Sequence, residues 1–243
     1  MKDNDTIVLK FGNTQEALES LAKCYGVDLD VIESNLPQLK SLYKEYFYHD
    51  DDVLLLKSIT ILLSGKSDID INFTTFRIHF YHRTSYSGDI NWFSKGLLSG
   101  PEAIGQYIQN LHDLAPDLNL IQDQKILIDK NKYKHPYFKP QNDEVYAFLN
   151  LKSAKLKKYH FYNYSEIIYD YTENNPLLLD QIKNLVTPCT VEFYLEKDSK
   201  SLKCYLFHYW RLLLDESDET CGGVKSNSKG DVPFENIINI EPI

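Results

Sequence analysis

The sequence predicts an α+β fold, in which a helical N-terminal region precedes a mixed domain whose strands bracket helices. Apolar residues recur at helical spacing between residues 14 and 64. Beyond residue 70, segments rich in aromatic and β-branched residues alternate with turn signals. We therefore expect a helical region over residues 1–70 and an α+β domain over residues 71–243, with a boundary near Lys66–Asp70.

The N-terminal region is predicted to be a series of helices. In TQEALESLAKCYG, Ala17, Leu21 and Cys24 share one helical face and Gly26 supplies a stop. VDLDVIESNL is expected to end before Pro37, because proline breaks a helix interior, and QLKSLYKEYF continues after it. DDDVLLLKSITILLSG begins with three carboxylates, which favour a helix N-terminus, and ends at Gly65.

The next part of the chain is predicted to alternate between strand and helix. FTTFRIHFYHRT is rich in aromatic and β-branched residues and places Ile78, Phe80 and His82 on one face of a strand. INWFSKGLLSGPEAIGQYIQNLHDL predicts two short helices around a turn, since glycines and a proline interrupt its helical pattern. QKILIDK and EVYAFLNL are predicted strands, separated by the loop YKHPYFKPQND.

The C-terminal part is predicted to be dominated by sheet. YSEIIYDY and PLLLDQIKNL are expected to be helical, with Pro176 in a first turn. TVEFYLE and KCYLFHYWRLLLDE are expected to form a hairpin around KDSK. A loop rich in glycine, serine and asparagine then leads into a last strand, NIINIEPI.

Composition excludes several classes of protein. The net charge of -9 argues against a general nucleic-acid coat, although Lys152, Lys155, Lys157 and Lys158 could form a local basic patch or a solvated face. The four cysteines show no zinc-ligand or disulfide-framework spacing, so we expect no metal. Apolar runs are too short for a bilayer span and the N-terminus lacks an apolar leader segment, so a cytoplasmic protein is expected.

Common catalytic motifs are absent from the sequence. No GxGxxG or GxxxxGK[ST] pattern occurs, which weakens dehydrogenase and nucleotide-triphosphatase hypotheses. No GxSxG or HExxH pattern occurs either, which weakens hydrolase hypotheses. The informative segment is FYHRTSYSGDINWFSKGLLSG, because the predicted strand ends in a run of hydrogen-bond donors. A core position for His82 is the competing interpretation.

This segment resembles the ADP-ribosyltransferase superfamily. Members often open the catalytic domain with a strand ending in Tyr-His-x-Thr, followed by a helix ending in Gly-Leu. The matching residues here are Tyr81, His82, Thr84, Gly96 and Leu97. The resemblance covers roughly residues 78–240 by element order and implies a split, mostly antiparallel sheet.

The resemblance also implies a binding site for NAD as substrate. It assigns the nicotinamide ribose and amide to His82 and Thr84, with Arg83, a variable position in the family, beside them. It places Tyr146 of DEVYAFLN against nicotinamide, although a core tyrosine is the alternative. Tyr146 and His82 would then act in catalysis with a glutamate.

The implied catalytic glutamate stabilises an oxocarbenium-like ribose or activates the acceptor. Glu219 in DESDETCGG matches best, because VPFENIINI follows it like the closing Val-Pro strand of the family. Glu216, Glu192 and Glu235 remain alternatives. The sequence departs from the family in its long loop Gly222–Asp231 and in lacking the Ser-Thr-Ser form of the second motif.

Two functions follow from these observations. The resemblance implies an NAD-dependent mono-ADP-ribosyltransferase that modifies a macromolecule, protein or nucleic acid, as an intracellular toxin or defence effector with a neutralising protein partner. The alternative is a non-catalytic protein-interaction module with a tyrosine-rich binding surface. It is motivated by the ambiguous glutamate motif and by the sizeable helical N-terminal region. Its surface would draw on the 18 tyrosines, which cluster in YKEYFYHD, YHFYNY and YDY, although such clusters also occur in cores. A third hypothesis is an ADP-ribosyltransferase-type fold that has lost activity.

Overall fold

The computed structural model describes residues 6–47, 52–118, 144–156, 172, 176–215, 221–224 and 230–243, and these residues form a mixed α/β structure. Its α-helices are α1 Thr14–Tyr25, α2 Leu29–Phe47, α3 Asp52–Ser64, α4 Gly100–Leu114, α5 Leu151–Lys155, α6 Pro176–Leu185 and α7 Leu202–Leu214. Its strands are β1 Val8–Leu9, β2 Thr75–Tyr86, β3 Val145–Phe148, β4 Thr187–Asp198, β5 Cys221–Val224 and β6 Ile237–Pro242. The predicted segments QKILIDK, YKHPYFKPQND and YSEIIYDY lie outside the described residues.

The strands form one mixed sheet in the order β5-β3-β2-β4-β6, and β1 pairs with β2. The pairs β2 with β3, β3 with β5 and β4 with β6 are antiparallel, whereas β1 with β2 is parallel. Tyr81 pairs with Phe148, and the β4–β6 register contains an irregularity between Glu192 and Phe193. The short strands β1 and β5 were not predicted, because two and four residues carry too little alternation to be recognised.

The chain divides into two compact units, each assembled from several segments. Unit 1 contains Met1–Phe80, Leu149–Ser153 and Leu195–Thr220. Unit 2 contains Tyr81–Phe148, Ala154–Tyr194 and Cys221–Ile243. Strands β2 and β4 contribute residues to both units.

Helix α7 provides the aromatic core of unit 1, and its prediction as a hairpin strand was wrong. Tyr209 and Trp210 are fully buried. The Tyr209 ring lies 5.6 Å from that of Phe11, and Trp210 Nε1 donates a 2.9 Å hydrogen bond to the Tyr25 hydroxyl. Many residues of KCYLFHYWRLLLDE favour strands in isolation. Burial at helical spacing overrides that propensity, and the 13-residue length also fits a helix better.

Helix α2 runs through Pro37, so the predicted stop before this residue was also wrong. Proline has no backbone N–H, and the carbonyl of Glu33 therefore lacks its usual helical donor. The apolar side chains of Ile32 and Leu39, on either side of the proline, are fully buried. Their packing stabilises the helix across a residue that would end it in solution.

The entrance to α1 is held by side chains that satisfy free backbone groups. Asn13 caps the helix by accepting a 2.9 Å hydrogen bond from the Glu16 N–H. The Glu16 carboxylate accepts from the Gly12 N–H at 3.1 Å. Ser20 Oγ accepts a 3.0 Å bond from the Lys10 N–H, which ties the segment after β1 to the helix.

In unit 2, helix α4 packs against the end of β2 through polar and aromatic contacts. The hydroxyl oxygens of Ser85 and Tyr107 lie 2.6 Å apart in a buried position. The Trp92 ring meets that of Tyr107 edge-on at 5.3 Å, and Asn110 Nδ2 donates to the Trp92 carbonyl at 3.1 Å. These contacts fix the chain that leaves β2, on which the candidate site depends.

We expect Tyr25→Phe to lower the free energy of unfolding by about 1–3 kcal/mol, because it leaves the buried Trp210 N–H without its acceptor. Urea unfolding measures this change. Tyr46→Phe is the matched control, since Tyr46 is half-buried and its hydroxyl pairs with Ser58 Oγ at a longer 3.3 Å. Equal losses in the two variants would contradict the role given to the Tyr25–Trp210 bond.

Candidate functional site

His82 is held by a hydrogen bond to the neighbouring strand. Its Nδ1 lies 2.6 Å from the carbonyl oxygen of Tyr146, just beyond the Tyr81–Phe148 pair of β2 and β3. A carbonyl oxygen can only accept, so Nδ1 carries the proton. In the neutral ring, Nε2 then has a free lone pair and can accept a hydrogen bond from a ligand hydroxyl.

The environment of His82 favours the neutral ring. Burial lowers the pKa of His82 below its ordinary value of 6.5, and the hydrogen bond to the Tyr146 carbonyl opposes this effect only in part. The side chain itself is half-buried. At neutral pH His82 is therefore an acceptor at Nε2 rather than a cation.

Tyr146 presents its side chain to solvent, whereas its backbone carbonyl is the group that lies beside His82. It is 61% exposed, whereas Val145 and Ala147 on either side of it are buried. This alternation is that of a strand with one covered face. The competing interpretation of Tyr146 as a core residue does not fit its exposure, and the structure brings the Tyr146 backbone and His82 together.

The other two predicted NAD-binding residues are largely inaccessible. Thr84 is 7% exposed, and it shares one face of β2 with His82 and Tyr86 by strand alternation. Arg83 is also buried, and its Nη1 donates a 2.7 Å hydrogen bond to the Leu156 carbonyl. Arg83 therefore stabilises the end of the α5 segment, and NAD contacts by Arg83 and Thr84 stay predictions.

Gly96 and Leu97, two residues of the resemblance, have a clear structural role. Leu97 and Val232 exchange backbone hydrogen bonds of 2.9 and 2.8 Å. Gly96 adopts a φ of +83°, and a Cβ at this position would meet the Val232 oxygen at 2.0 Å. The bridge joins the turn after β2 to VPFENIINI, so the two segments that resemble the family lie next to each other.

Asp231 reinforces this bridge at the N-terminus of α4. Its Oδ1 accepts from the backbone N–H of Ser99 at 2.9 Å and from Ser99 Oγ at 3.0 Å. Ser99 is the N-cap residue of α4 and makes no capping bond with its own side chain. A carboxylate near a helix N-terminus is stabilising, because free N–H groups and the helix dipole favour negative charge.

An open cleft of about 370 Å³ lies beside the end of β2. Tyr86, Gly88 and Ile90 line one part of it, and residues 234, 235 and 237–240 line the rest. A strand rise of about 3.3 Å per residue places Tyr86 roughly 13 Å along β2 from His82. Sequence reasoning missed this cleft, although the alternating apolar residues of NIINIEPI were a signal of a strand with an apolar face.

The candidate glutamates occupy different environments. Glu219, the predicted catalytic residue, and Glu216 lie outside the described residues. Glu192 is half-buried on β4. Glu235 is exposed and lines the cleft beside Tyr86. Of the four candidate glutamates, the described residues therefore bring Glu235 to a cleft at the end of the strand that carries His82.

Metal ligation and membrane insertion have no counterpart in the described ranges. No cluster of three or more His, Cys, Asp or Glu side chains there could hold a metal ion. None of the helices described combines the length and apolar character needed to cross a bilayer. Burial raises the pKa values of the Cys24 and Cys189 thiols to about 12, which keeps both protonated.

We expect Gly96→Ala to destabilise the protein by more than about 4 kcal/mol, because it adds a backbone clash to the strain of a positive φ. Gly88→Ala is the control: Gly88 has a φ of +91°, and a Cβ at this position would meet nothing within 4 Å. The free energy of unfolding of Gly88→Ala should fall by about 1–2 kcal/mol, which is the cost of the positive φ alone. Similar urea midpoints for the two variants would contradict the close approach of Gly96 and Val232.

We expect the stability of the protein to fall as the pH drops below about 6.5, because unfolded His82 takes up a proton before folded His82 does. The stability that the neutral His82 ring contributes is fully present above pH 6.5. It is lost as the pH falls from 6.5 to the pKa of His82 in the folded protein, which is lower. His82→Asn retains a donor for the Tyr146 carbonyl but does not titrate. Urea unfolding from pH 7.5 to 5 should show a weaker pH dependence in this variant; identical slopes would contradict the assignment.

Comparisons of the chain with protein-family models, curated proteins and solved structures gave no significant match.

Proposed function

We propose that this protein is an NAD-dependent mono-ADP-ribosyltransferase that modifies a macromolecule. The observation that carries the proposal is the His82–Tyr146 contact, a neutral imidazole held 2.6 Å from the carbonyl of a residue with an exposed aromatic ring. His82 Nε2 would accept from a ribose hydroxyl of NAD, and the Tyr146 ring would lie against nicotinamide. Further support comes from the contact between the Gly-Leu and Val-Pro segments.

The reaction needs positioning and charge more than covalent help. The bond between nicotinamide and ribose breaks, nicotinamide leaves with the bonding electrons, and positive charge develops on the ribose. A nucleophilic atom of the acceptor then bonds to the ribose carbon and loses a proton. A carboxylate stabilises the developing charge, and we assign this role to Glu219, with Glu216, Glu192 and Glu235 as alternatives.

Two classes of acceptor are compatible with the proposal. A protein side chain or a nucleic acid could supply the nucleophile, and the net charge of -9 disfavours extended nucleic-acid contact. The resemblance adds a role as an intracellular toxin or defence effector, with a neutralising protein partner.

The second candidate is a non-catalytic interaction module, for which the sequence offered a tyrosine-rich surface. Among the tyrosines that the structure describes, most are buried in the two units and Tyr146 is the one that is clearly exposed. The clusters YHFYNY and YDY lie outside the described residues. The exposed apolar cleft, rather than tyrosine content, is the observation that favours this candidate.

We expect the purified full chain to release nicotinamide from NAD, with cell extract supplying an acceptor. His82→Ala and Glu219→Gln should each lower the rate by about 10²-fold or more, because each removes a group that contacts the reacting ribose. His79→Ala is the matched control, since His79 is a half-buried histidine on the same strand. Chromatographic quantification of nicotinamide measures the rate.

The pattern of losses separates the candidates. Retained release in Glu219→Gln would move the carboxylate role to Glu235, Glu192 or Glu216, each tested by the same substitution. Equal losses in His79→Ala and His82→Ala would indicate a general effect on folding. No turnover together with no NAD binding, measured by calorimetry, would refute the proposal and leave the interaction module.

A further inference from the structure

Strand β6 lies at one edge of the sheet, as far as the described residues show. It pairs with β4 from Cys189↔Pro242 to Phe193↔Ile237, and it is last in the strand order β5-β3-β2-β4-β6. The outer side of an edge strand carries backbone N–H and C=O groups that can pair with another chain. This edge is therefore a potential template for one more strand.

Within the described residues, strand β6 carries little of the usual protection against such pairing. Proteins commonly place lysines, other charges or proline on exposed edges. The segment Ile237–Pro242 contains a single charged residue, Glu241, which pairs with Lys155 at 2.6 Å. Its proline is the last residue of the strand, and Ile238 is 47% exposed. The edge thus presents an apolar, nearly uncharged stretch of backbone.

The cleft next to β6 supplies a place for side chains. Residues 237–240 form part of its lining, and the exposed side chains of Ile90 and Phe234 extend its apolar surface. Its volume of about 370 Å³ lies within the range of ligand sites. Among the described residues that line it, Glu235 is the only charged one, and it is exposed.

We propose that the β6 edge and its cleft bind an extended peptide in which apolar and basic residues alternate. The peptide backbone pairs with β6 as an added strand, which provides main-chain hydrogen bonds. Its apolar side chains cover Ile238 and Phe234. A lysine or arginine lays its methylene stem along the apolar surface and pairs its charged head with Glu235.

Charge selects a basic peptide over a second copy of this chain. Glu235 is the single charged residue among the described residues that line the cleft, and a cation complements it. The whole chain carries a net charge of -9, so two copies repel each other while a basic partner is attracted. Strand β6 itself contains no lysine or arginine that could pair with Glu235 of a second copy. Peptide binding at this edge does not depend on NAD turnover.

The test uses three fluorescent nine-residue peptides and the full chain. In the first, valine alternates with lysine; in the second, valine alternates with glutamate; the third is the lysine peptide with its central valine replaced by proline. We expect the lysine peptide to bind with a Kd below about 1 mM by fluorescence anisotropy. The glutamate and proline peptides should bind at least about tenfold more weakly, since they lose the charge match or a main-chain donor.

Protein variants locate the binding site. Ile238→Lys should weaken binding of the lysine peptide at least about tenfold, because it places like charge on the edge. Ile61→Lys is the matched control, since Ile61 is 48% exposed but lies on α3. This variant should bind the lysine peptide as tightly as the unmodified protein does. Glu235→Lys should reverse the preference toward the glutamate peptide. None of these side chains has a place in the proposed NAD site except Glu235, which is an alternative there.

Three results would overturn the proposal. The first is equal binding of the lysine and glutamate peptides, or no binding of either. The second is equal weakening by Ile238→Lys and Ile61→Lys. The third is a dimer of the free protein in sedimentation experiments that Ile238→Lys dissociates, which would make a second copy the occupant of the edge. Nicotinamide release is measured separately, so failure of one proposal leaves the other unaffected.

Discussion

Leu97 and Val232 exchange two backbone hydrogen bonds, and the arrangement of the site region depends on this exchange. The bonds can form because Gly96 has no side chain: a Cβ there would lie 2.0 Å from the Val232 oxygen. The bridge holds the segment that carries Glu235 against the chain that leaves β2. Asp231 adds two hydrogen bonds to Ser99 at the start of α4. The positions of the cleft and of the N-terminus of α4 thus both depend on the close approach of the Gly96 and Val232 backbones.

The chemistry of His82 follows from where its hydrogen bond lies. The His82 ring donates a hydrogen bond to the Tyr146 carbonyl, a backbone group that would accept from a backbone N–H in a regular pair of strands. Burial disfavours the charged form of the ring and therefore lowers the pKa of His82. A neutral ring with a free Nε2 lone pair suits a ligand that offers hydroxyl groups. A cationic histidine would instead attract the phosphates of a nucleotide. The neutral form therefore agrees with a role at a ribose.

The two proposed binding surfaces would obtain their specificity from different interactions. At His82 and Tyr146, specificity would come from one acceptor and one exposed aromatic ring on adjacent strands. At β6, it would come from the main chain of an edge strand, apolar contact area and the charge of Glu235. Unit 1 contributes neither surface in the described residues; there, the fully buried Trp210 and Tyr209 make α7 a core element. Buried tyrosines such as these show why tyrosine content alone is a poor guide to a binding surface.

The sequence by itself determined the features that depend on neighbouring residues: helix α1 with its stop at Gly26, the long strands β2 and β4, helix α6 and the terminal strand β6. It also indicated His82, because hydrogen-bonding residues at a strand end are visible locally, whereas Tyr146 was named through the family resemblance alone. Tertiary structure decided the rest. Buried side chains before and after Pro37 keep α2 helical through this proline. Packing in the core of unit 1 makes α7 a helix despite its strand-like composition. The His82–Tyr146 bond, the Leu97–Val232 bridge and the cleft join residues far apart along the chain, and local periodicity contains no information about such pairs.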